Sequence, residues 1–183
     1  MAQTFVPGFL RHEFWLNKTR AQVEAGTAGT ATTDGVDLTR FEAPANTGIN
    51  NYAQRVSGFF VPQVSGNYVF FANSDDDSDL FLSTDNTPAN KRLIAQESGW
   101  SNPDQWLAVG GGSTVAQKRS DTFTDPVTLT QPFASGIPLV AGSHYYIEDV
   151  MHQGGGGDNL GATYKLVGDP DPANERRPSS PTR

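Results

Sequence analysis

The amino-acid sequence predicts an all-β protein, an antiparallel β-sandwich of the jelly-roll kind with long loops and little helix. Short apolar and β-branched runs alternate with turn residues along the chain, and this spacing is typical of sandwiches. Nineteen glycines and twelve prolines interrupt the 183 residues every few positions, which disfavours long helices. Eleven Phe, five Tyr and three Trp offer large side chains for the core of one domain.

The strand candidates divide the chain into a regular first half, an irregular middle and a regular end. Residues 18–25 suit a short helix or turn, and residues 97–136 suit surface loops with one or two short strands. The turn dipeptide Gly66-Asn67 between two apolar runs predicts a hairpin. We predict strands at residues 8–16, 52–62, 68–72, 80–83, 91–96, 137–140, 144–151 and 162–167.

The chain ends suggest one domain within a longer protein. We expect a single domain over residues 1–167, followed by a linker or disordered tail at 168–183, which is rich in Pro, Ser and charge. No run approaches the roughly 20 apolar residues that span a bilayer, so we expect no direct membrane insertion. The first residues lack the pattern of a signal peptide. We therefore expect a fragment of a larger multidomain protein.

Composition excludes several classes of function. A formal net charge of −7 disfavours nucleic acid as a partner, because phosphate neutralisation needs a basic face. The absence of cysteine excludes a disulfide scaffold, a thiolate zinc site and a cysteine nucleophile. The three histidines fit no nucleophile-elbow or metalloprotease pattern, and no carboxylate pair stands out for glycoside hydrolysis. We predict that the protein is not an enzyme.

Residues 73–79 place four aspartates, at positions 75, 76, 77 and 79, in a predicted loop between two strands. Carboxylates this close repel one another, and burying one unpaired costs several kcal/mol. The cluster is therefore either solvated or held by a cation. An EF-hand is excluded, because Leu80 and Asn86 stand where that loop needs Gly and Glu.

A glycine-rich loop at residues 153–158 could complete a cation site. It offers the amide oxygen of Gln153, the carboxylate of Asp158 and glycine carbonyls, the hard oxygen ligands that calcium prefers. It is no P-loop, since Asp158 and Asn159 replace the Lys and Ser/Thr, and no calcium β-helix repeat, since there is one copy. Both loops follow strands, so they could share one end of a sandwich. Alternatively, the acids are merely solvated and the glycines merely turn the chain.

Several segments, in the right order, resemble one known family. They are FEAP at 41–44, GFFVP at 58–62, SGNYVF at 65–70, SDD at 74–76, LFLSTD at 80–85, AGSHYYIE at 141–148 and GGGGDNL at 154–160. Together they resemble the protective-antigen-type fourteen-kilodalton (PA-fourteen) domain, a β-sandwich of bacterial toxins, adhesins, glycosidases and yeast cell-surface lectins. The resemblance runs from about residue 8 to 167.

The lectin members of that family imply a site and a ligand. There, an Asp-Asp pair joined by a cis peptide bond holds Ca²⁺, a second loop completes the shell, and two sugar hydroxyls bind the ion. The resemblance places the pair at Asp75 and Asp76, with Gln153, Gly154 and Asp158 on the second loop. Residues 77 and 79 are then expected to be solvated or to lie behind the ligands.

Two further side chains are candidates for contact with a sugar. The ring of Trp100 lies in an irregular stretch and either stacks on a sugar or packs within its loop, and the same alternative holds for Trp106. His152 precedes the glycine loop, where it either hydrogen-bonds a ligand or occupies an ordinary edge position.

The resemblance implies a calcium-dependent lectin or adhesin module, extracellular or at the cell surface. Its partners would be glycans or monosaccharides with vicinal hydroxyls. Two other functions stay open: a structural or protein-interaction module that binds no sugar, and an accessory domain of a glycosidase.

Overall fold

The computed structural model describes residues 10–174 and confirms the all-β prediction. Two short helices, α1 (Arg20–Glu24) and α2 (Val115–Lys118), and one 3₁₀ turn, Pro88–Asn90, interrupt the strands of this part of the chain. The strands are β1 Leu10–Leu16, β2 Thr33–Leu38, β3 Tyr52–Phe60, β4 Gly66–Asp75, β5 Ser78–Ser83, β6 Lys91–Glu97, β7 Ile137–Leu139, β8 Tyr145–Gln153 and β9 Asn159–Leu166.

The strands form two sheets that face each other as a sandwich. The larger has the order β2-β1-β3-β8-β5-β6 and the smaller the order β7-β4-β9, and every pairing between these strands is antiparallel. The sequence prediction of an antiparallel sandwich is therefore confirmed.

Strand β4 explains how the core is built. Its residues Tyr68, Phe70 and Ala72 face the larger sheet and pack in one cluster with Leu80, Leu82, Ile94 and Ile147. Its opposite face carries Val69 and Phe71, which Trp106 covers. A strand that is buried on both faces reads as a continuous apolar run rather than an alternating one, as the sequence of β4 does.

The predicted hairpin between β3 and β4 is wrong. Strand β3 pairs with β1 and β8, whereas β4 pairs with β7 and β9, so residues 61–65 cross between the sheets. The aromatic side chains meet across the sandwich: the Phe60 ring lies 5.4 Å from that of Tyr68 and 5.1 Å from that of Phe70. The two apolar runs do contact each other, but their side chains pack between facing sheets and their backbones do not pair as neighbouring strands.

Helix α1 confirms the short helix expected at residues 18–25. Thr19 caps it, because its hydroxyl accepts a hydrogen bond from the Gln22 amide at 3.3 Å while the Gln22 side chain accepts one from the Thr19 amide at 3.0 Å. The cap fixes the start of the helix at Arg20. This position brings the Arg20 guanidinium against the acidic stretch.

Three other regions differ from the sequence prediction or extend it. The polar strand β2 was not predicted. The segment between β6 and β7 contains α2 and isolated bridges in place of the expected short strands. In the expected tail, Asp171 pairs with Lys165 at 2.7 Å and the Asn174 side chain accepts a hydrogen bond from the Leu107 amide at 2.8 Å, whereas residues 175–183 lie outside the described residues.

Within residues 10–174, no helix is long and apolar enough to cross a membrane.

Candidate functional site

The acidic stretch spans the crossing between the two sheets. Asp75 ends β4 in the smaller sheet and Asp79 lies in β5 of the larger, so only Asp76 and Asp77 form the connection. The stretch is thus shorter as a loop than the sequence predicted. The peptide bond between Asp75 and Asp76 is cis, as the family resemblance implies.

Arg20 separates the four aspartates into two pairs. Its Nη1 lies 2.9 Å from Asp77 Oδ2 and 3.2 Å from Asp79 Oδ1, and Asp79 also accepts a hydrogen bond from Gln96 Nε2 at 2.6 Å. Asp79 is only 6% exposed. Of the two alternatives for Asp79, exposure to water is therefore wrong, because Arg20 of α1 and Gln96 of β6 bind its carboxylate. A place behind the ligands of a cation stays a prediction.

We expect Asp79→Ala to destabilise the fold without affecting any cation bound at Asp75 and Asp76. The change removes an acceptor from both Gln96 and Arg20, and the expected loss is about 1–3 kcal/mol in the free energy of unfolding. Urea denaturation measures the loss, and melting curves with and without calcium measure the cation response. If Asp79→Ala abolished the calcium response while the fold remained intact, Asp79 would belong among the ligands.

The glycine loop lies directly against the other pair. The Gly154 amide donates to Asp76 Oδ2 at 2.8 Å, the Asp76 amide donates to Gln153 Oε1 at 3.2 Å, and Gln153 Nε2 donates to the Gly157 carbonyl at 2.8 Å. The acidic stretch and the glycine loop therefore meet at one end of the sandwich, as the sequence predicted.

The close approach of this loop requires glycine. A Cβ atom on Gly157 would lie 2.9 Å from Asp75 Oδ2, and one on Gly154 would lie 3.3 Å from Asp76 Oδ2. The first distance is shorter than normal contact and the second is tight. The missing side chains therefore allow the glycine loop to lie directly against the two carboxylates.

The electrostatics of this space favour a positive charge. Burial, and after it the nearby negative charges of Asp76, Asp158 and Glu97, together raise the pKa of the Asp75 carboxyl to about 6. Neither Asp75 nor Asp76 forms an ion pair with any described residue. Carboxylates in such surroundings gain free energy by binding a proton or a cation.

Asp158 is buried and is held by a third loop, residues 46–51. Its Oδ1 accepts a hydrogen bond from the Thr47 amide at 2.9 Å, its Oδ2 accepts one from the Thr47 hydroxyl, and its carbonyl accepts one from the Asn46 amide at 2.9 Å. The Asn51 amide donates to the Gly154 carbonyl at 3.3 Å. Nothing in the Asn, Thr and Gly content of residues 46–51 indicates this partner in the sequence.

The donor set at this end suits a hard cation. It comprises the Asp75 and Asp76 carboxylates, Gln153 Oε1 and glycine carbonyls, and calcium binds six to eight such oxygens. Among residues 10–174, no three His, Asp or Glu side chains come close enough to form a metal cluster. A cation here would therefore take much of its shell from amide and carbonyl oxygens. The roles of Gly154 and Asp158 as ligands stay predictions.

Trp100 lies beside the acidic pair, whereas Trp106 does not. Trp100 forms a β-bridge with Asp75, and its ring is backed by Gly110, where a Cβ atom would lie 2.2 Å from the indole Cε3. Trp100 is 41% exposed, whereas Trp106 packs in the core. Of the two tryptophans, only Trp100 has a position from which it could contact a bound ligand.

His152 lies at the outer edge of the site. Its amide donates to the Asp77 carbonyl at 3.0 Å, and its Nδ1 lies 3.9 Å from Asp77 Oδ1. The side chain is one-third exposed. The structure thus places His152 beside the aspartate that Arg20 binds.

The fold and this site together define a two-layer β-sandwich with an acidic and glycine-rich loop cluster at one end. Two solved structures with a similar fold are A domains from Candida glabrata, both in complex with Galb1-3GlcNAc. Epithelial Adhesin 6 is 13% identical with a TM-score of 0.56, covering 94% of this chain and 86% of the other. Epithelial Adhesin 9 is 10% identical with a TM-score of 0.58, covering 89% and 84%.

A third similar structure belongs to a larger protein. The beta-glucosidase from Kluyveromyces marxianus, solved in complex with glucose, is 14% identical with a TM-score of 0.50, and the match covers 86% of this chain but only 15% of that one. At these identities the similarities establish a shared fold. No family model matches the chain, and no curated protein does.

Proposed function

We propose that the protein is a calcium-dependent carbohydrate-binding module in which Asp75 and Asp76 hold the ion that binds two vicinal hydroxyls of a sugar. The observation that carries the proposal is that Asp75 and Asp76, which form no ion pair with any described residue, lie against a glycine loop without side chains. The adhesin domains, solved with a glycan and similar in fold, support it.

Each part of the site has a separate task in this proposal. Asp75 and Asp76 supply charge, and the Gly154 amide fixes the orientation of the Asp76 carboxylate. Gln153 and the glycine carbonyls add neutral oxygen ligands. Bound calcium supplies coordination positions that water or sugar hydroxyls fill. The exposed side of the Trp100 ring offers an apolar surface to the sugar. No bond is made or broken.

The charge of the site selects for neutral sugars. The negative charges of Asp76, Asp158 and Glu97 act on Asp75, and the three aspartates together exceed the charge of one divalent cation. Arg20 is already paired with Asp77 and Asp79. A sialylated or sulfated glycan would therefore meet repulsion that a neutral hexose would not.

Calorimetry with a panel of neutral and anionic glycans tests the proposal, first with calcium and then with chelator. We expect calcium to bind first, and neutral glycans to follow only in its presence. Their dissociation constants should be about micromolar to millimolar, because one small sugar buries little area. Calcium binding without any response to millimolar glycans would favour the structural or protein-interaction module.

The cellular setting follows from weak binding to a single sugar. Adhesion with such sites requires several copies in one larger protein, since multivalency multiplies weak affinities. We therefore propose an extracellular or cell-surface module of a multidomain protein. The beta-glucosidase similarity favours one second candidate, an accessory domain that binds sugar beside a separate catalytic domain.

A further inference from the structure

A fully buried ion pair lies beneath the loop that carries Trp100. Lys118 Nζ, at the end of α2, is 3.2 Å from Glu97 Oε2, at the end of β6, and both side chains are 0% exposed. Lys118 Nζ also donates to Ser101 Oγ at 2.6 Å, to the Gln105 carbonyl at 2.6 Å and to the Ala108 carbonyl at 2.9 Å.

Packing alone does not explain this pair. Two buried charges lose hydration that their attraction barely restores, and apolar residues of similar volume usually serve stability as well or better. An ammonium group can satisfy several acceptors at once, which an apolar side chain cannot. Here the three neutral acceptors all belong to one loop, residues 98–112, in which they occupy positions 101, 105 and 108.

The same contacts tie this loop to the acidic pair. The Ser101 hydroxyl donates to Glu97 Oε2 at 2.6 Å, while the Ser101 amide donates to the Ser74 carbonyl at 2.8 Å. Ser74 directly precedes Asp75, and Ser101 directly follows Trp100. Lys118 is thus linked to the Trp100 backbone through Ser101, the next residue of the chain.

The other contacts of Lys118 lie close to the glycines that pack behind the indole ring. Ala108, whose carbonyl Lys118 binds, lies two residues before Gly110. The Gly110 amide donates to the Trp100 carbonyl at 2.8 Å, and the Trp100 amide donates to the Gly111 carbonyl at 2.9 Å. Both the Trp100 segment and the glycines behind its ring are therefore attached to one ammonium group.

We propose that the Glu97–Lys118 pair is a positioning device that fixes the Trp100 indole beside Asp75 as a rigid platform for the apolar face of a neutral sugar. The two residues touch no ligand and act through Trp100. The sugar part of this inference rests on the proposed function, whereas the fixed position of the ring does not.

The first test measures the ring itself in full-length protein labelled with 5-fluorotryptophan. The variant is Glu97→Gln with Lys118→Met, which leaves no uncompensated charge. Its matched control is Lys91→Met with Glu148→Gln, which removes another ion pair of a buried Glu on the opposite face of the larger sheet. Trp100→Phe assigns the resonance. We expect one narrow Trp100 resonance in the wild type and the control, and a broadened or split one in the variant.

The second test measures binding by calorimetry, with calcium present. The variant should bind neutral glycan about tenfold more weakly while its calcium affinity stays within about twofold. In a Trp100→Ala background, the same double change should alter glycan affinity by less than about twofold. If the double variant melts below the assay temperature, Lys118→Arg replaces it, because a guanidinium cannot keep all three loop contacts.

Each failure has a distinct meaning. A Trp100 resonance that stays single and narrow in the variant overturns the inference, whatever the glycan result. A glycan loss that persists in full without Trp100 overturns it too, since general loosening of the fold would produce that result. A wild-type protein that binds calcium but no glycan refutes the proposed function, and the fluorine spectra alone then decide the positioning role.

Discussion

We expect calcium to stabilise the wild-type protein against heat and Asp76→Ala to abolish that stabilisation. A ligand at about 100 times its dissociation constant stabilises the native state by about 2.7 kcal/mol, which is about 5–10 °C in melting temperature for a domain of this size. Asp76 supplies one carboxylate of the proposed site and, through Oδ2, holds the Gly154 amide of the other loop. Its loss removes a charge and frees the glycine loop together.

Melting curves with calcium and with chelator measure this effect. Asp125→Ala serves as a control, because Asp125 is a partly exposed aspartate that accepts hydrogen bonds from the Val127 and Thr128 amides and lies outside both site loops. The control should keep the full calcium shift. An Asp76→Ala protein whose shift matched that of the wild type would remove this carboxylate from the site.

Asp149→Asn is expected to stabilise the protein at neutral pH, the opposite of what most core substitutions do. Asp149 lies on the core-facing side of β8, is completely buried, and neither of its oxygens has a hydrogen-bond partner among the described residues. Burial raises the pKa of its carboxyl well above the usual range, and the charges of Asp79 and Glu148 add to this, while Ser78 and Arg20 oppose it. Folding therefore favours the protonated form of this carboxyl.

The stabilisation should depend on pH in a defined direction. Because the folded carboxyl holds its proton more tightly than the unfolded one, wild-type stability falls as pH rises above the unfolded pKa of about 3.9. The fall is about 1.4 kcal/mol per pH unit for as long as the folded carboxyl stays protonated. Asparagine has no proton to lose, so the advantage of Asp149→Asn should vanish below about pH 4 and grow towards neutral pH.

Urea denaturation of both proteins between acid and neutral pH measures this difference. Glu148→Gln provides the contrast one residue away, because Glu148 is equally buried but is bound by Lys91 and by the Tyr146 hydroxyl. That variant should lose stability at neutral pH. Equal stability of Asp149→Asn and wild type at pH 7 would mean that Asp149 finds a partner when folded.

The sequence predicted the class of fold because periodic apolar runs report burial directly. The runs 68–72 and 144–151 appear as β4 and β8; β4 extends beyond both ends of its run, whereas β8 begins one residue later and ends two residues later than predicted. The sheet to which each strand belongs could not be predicted from this pattern. The apolar residues Phe60 and Phe70 give the same pattern whether they face each other across a hairpin or across the core. Strand β2 was missed because half of its residues are polar, although it pairs with β1 along most of its length.

The candidate site was predictable where residue type alone fixes the chemistry, and not where pairing decides it. Four carboxylates within five residues and a run of glycines favoured a cation site from the sequence, and that site stays a prediction. The ion pairs of Arg20 with Asp77 and Asp79 depend on contacts between distant segments, as does the hydrogen bond of Thr47 to Asp158. The sequence pattern does not predict such contacts. The fold of the resembled family is supported by the similar structures, whereas membership in the family and the calcium ligands stay predictions.

The two loops of the site share a topological property with a mechanical consequence. The first leads from β4 in the smaller sheet to β5 in the larger, and the glycine loop leads from β8 in the larger back to β9 in the smaller. An ion bound between the two loops would link the two sheets at this end of the sandwich. Under a pulling force, the ion would then add to the resistance of the apolar core against separation of the sheets at this end.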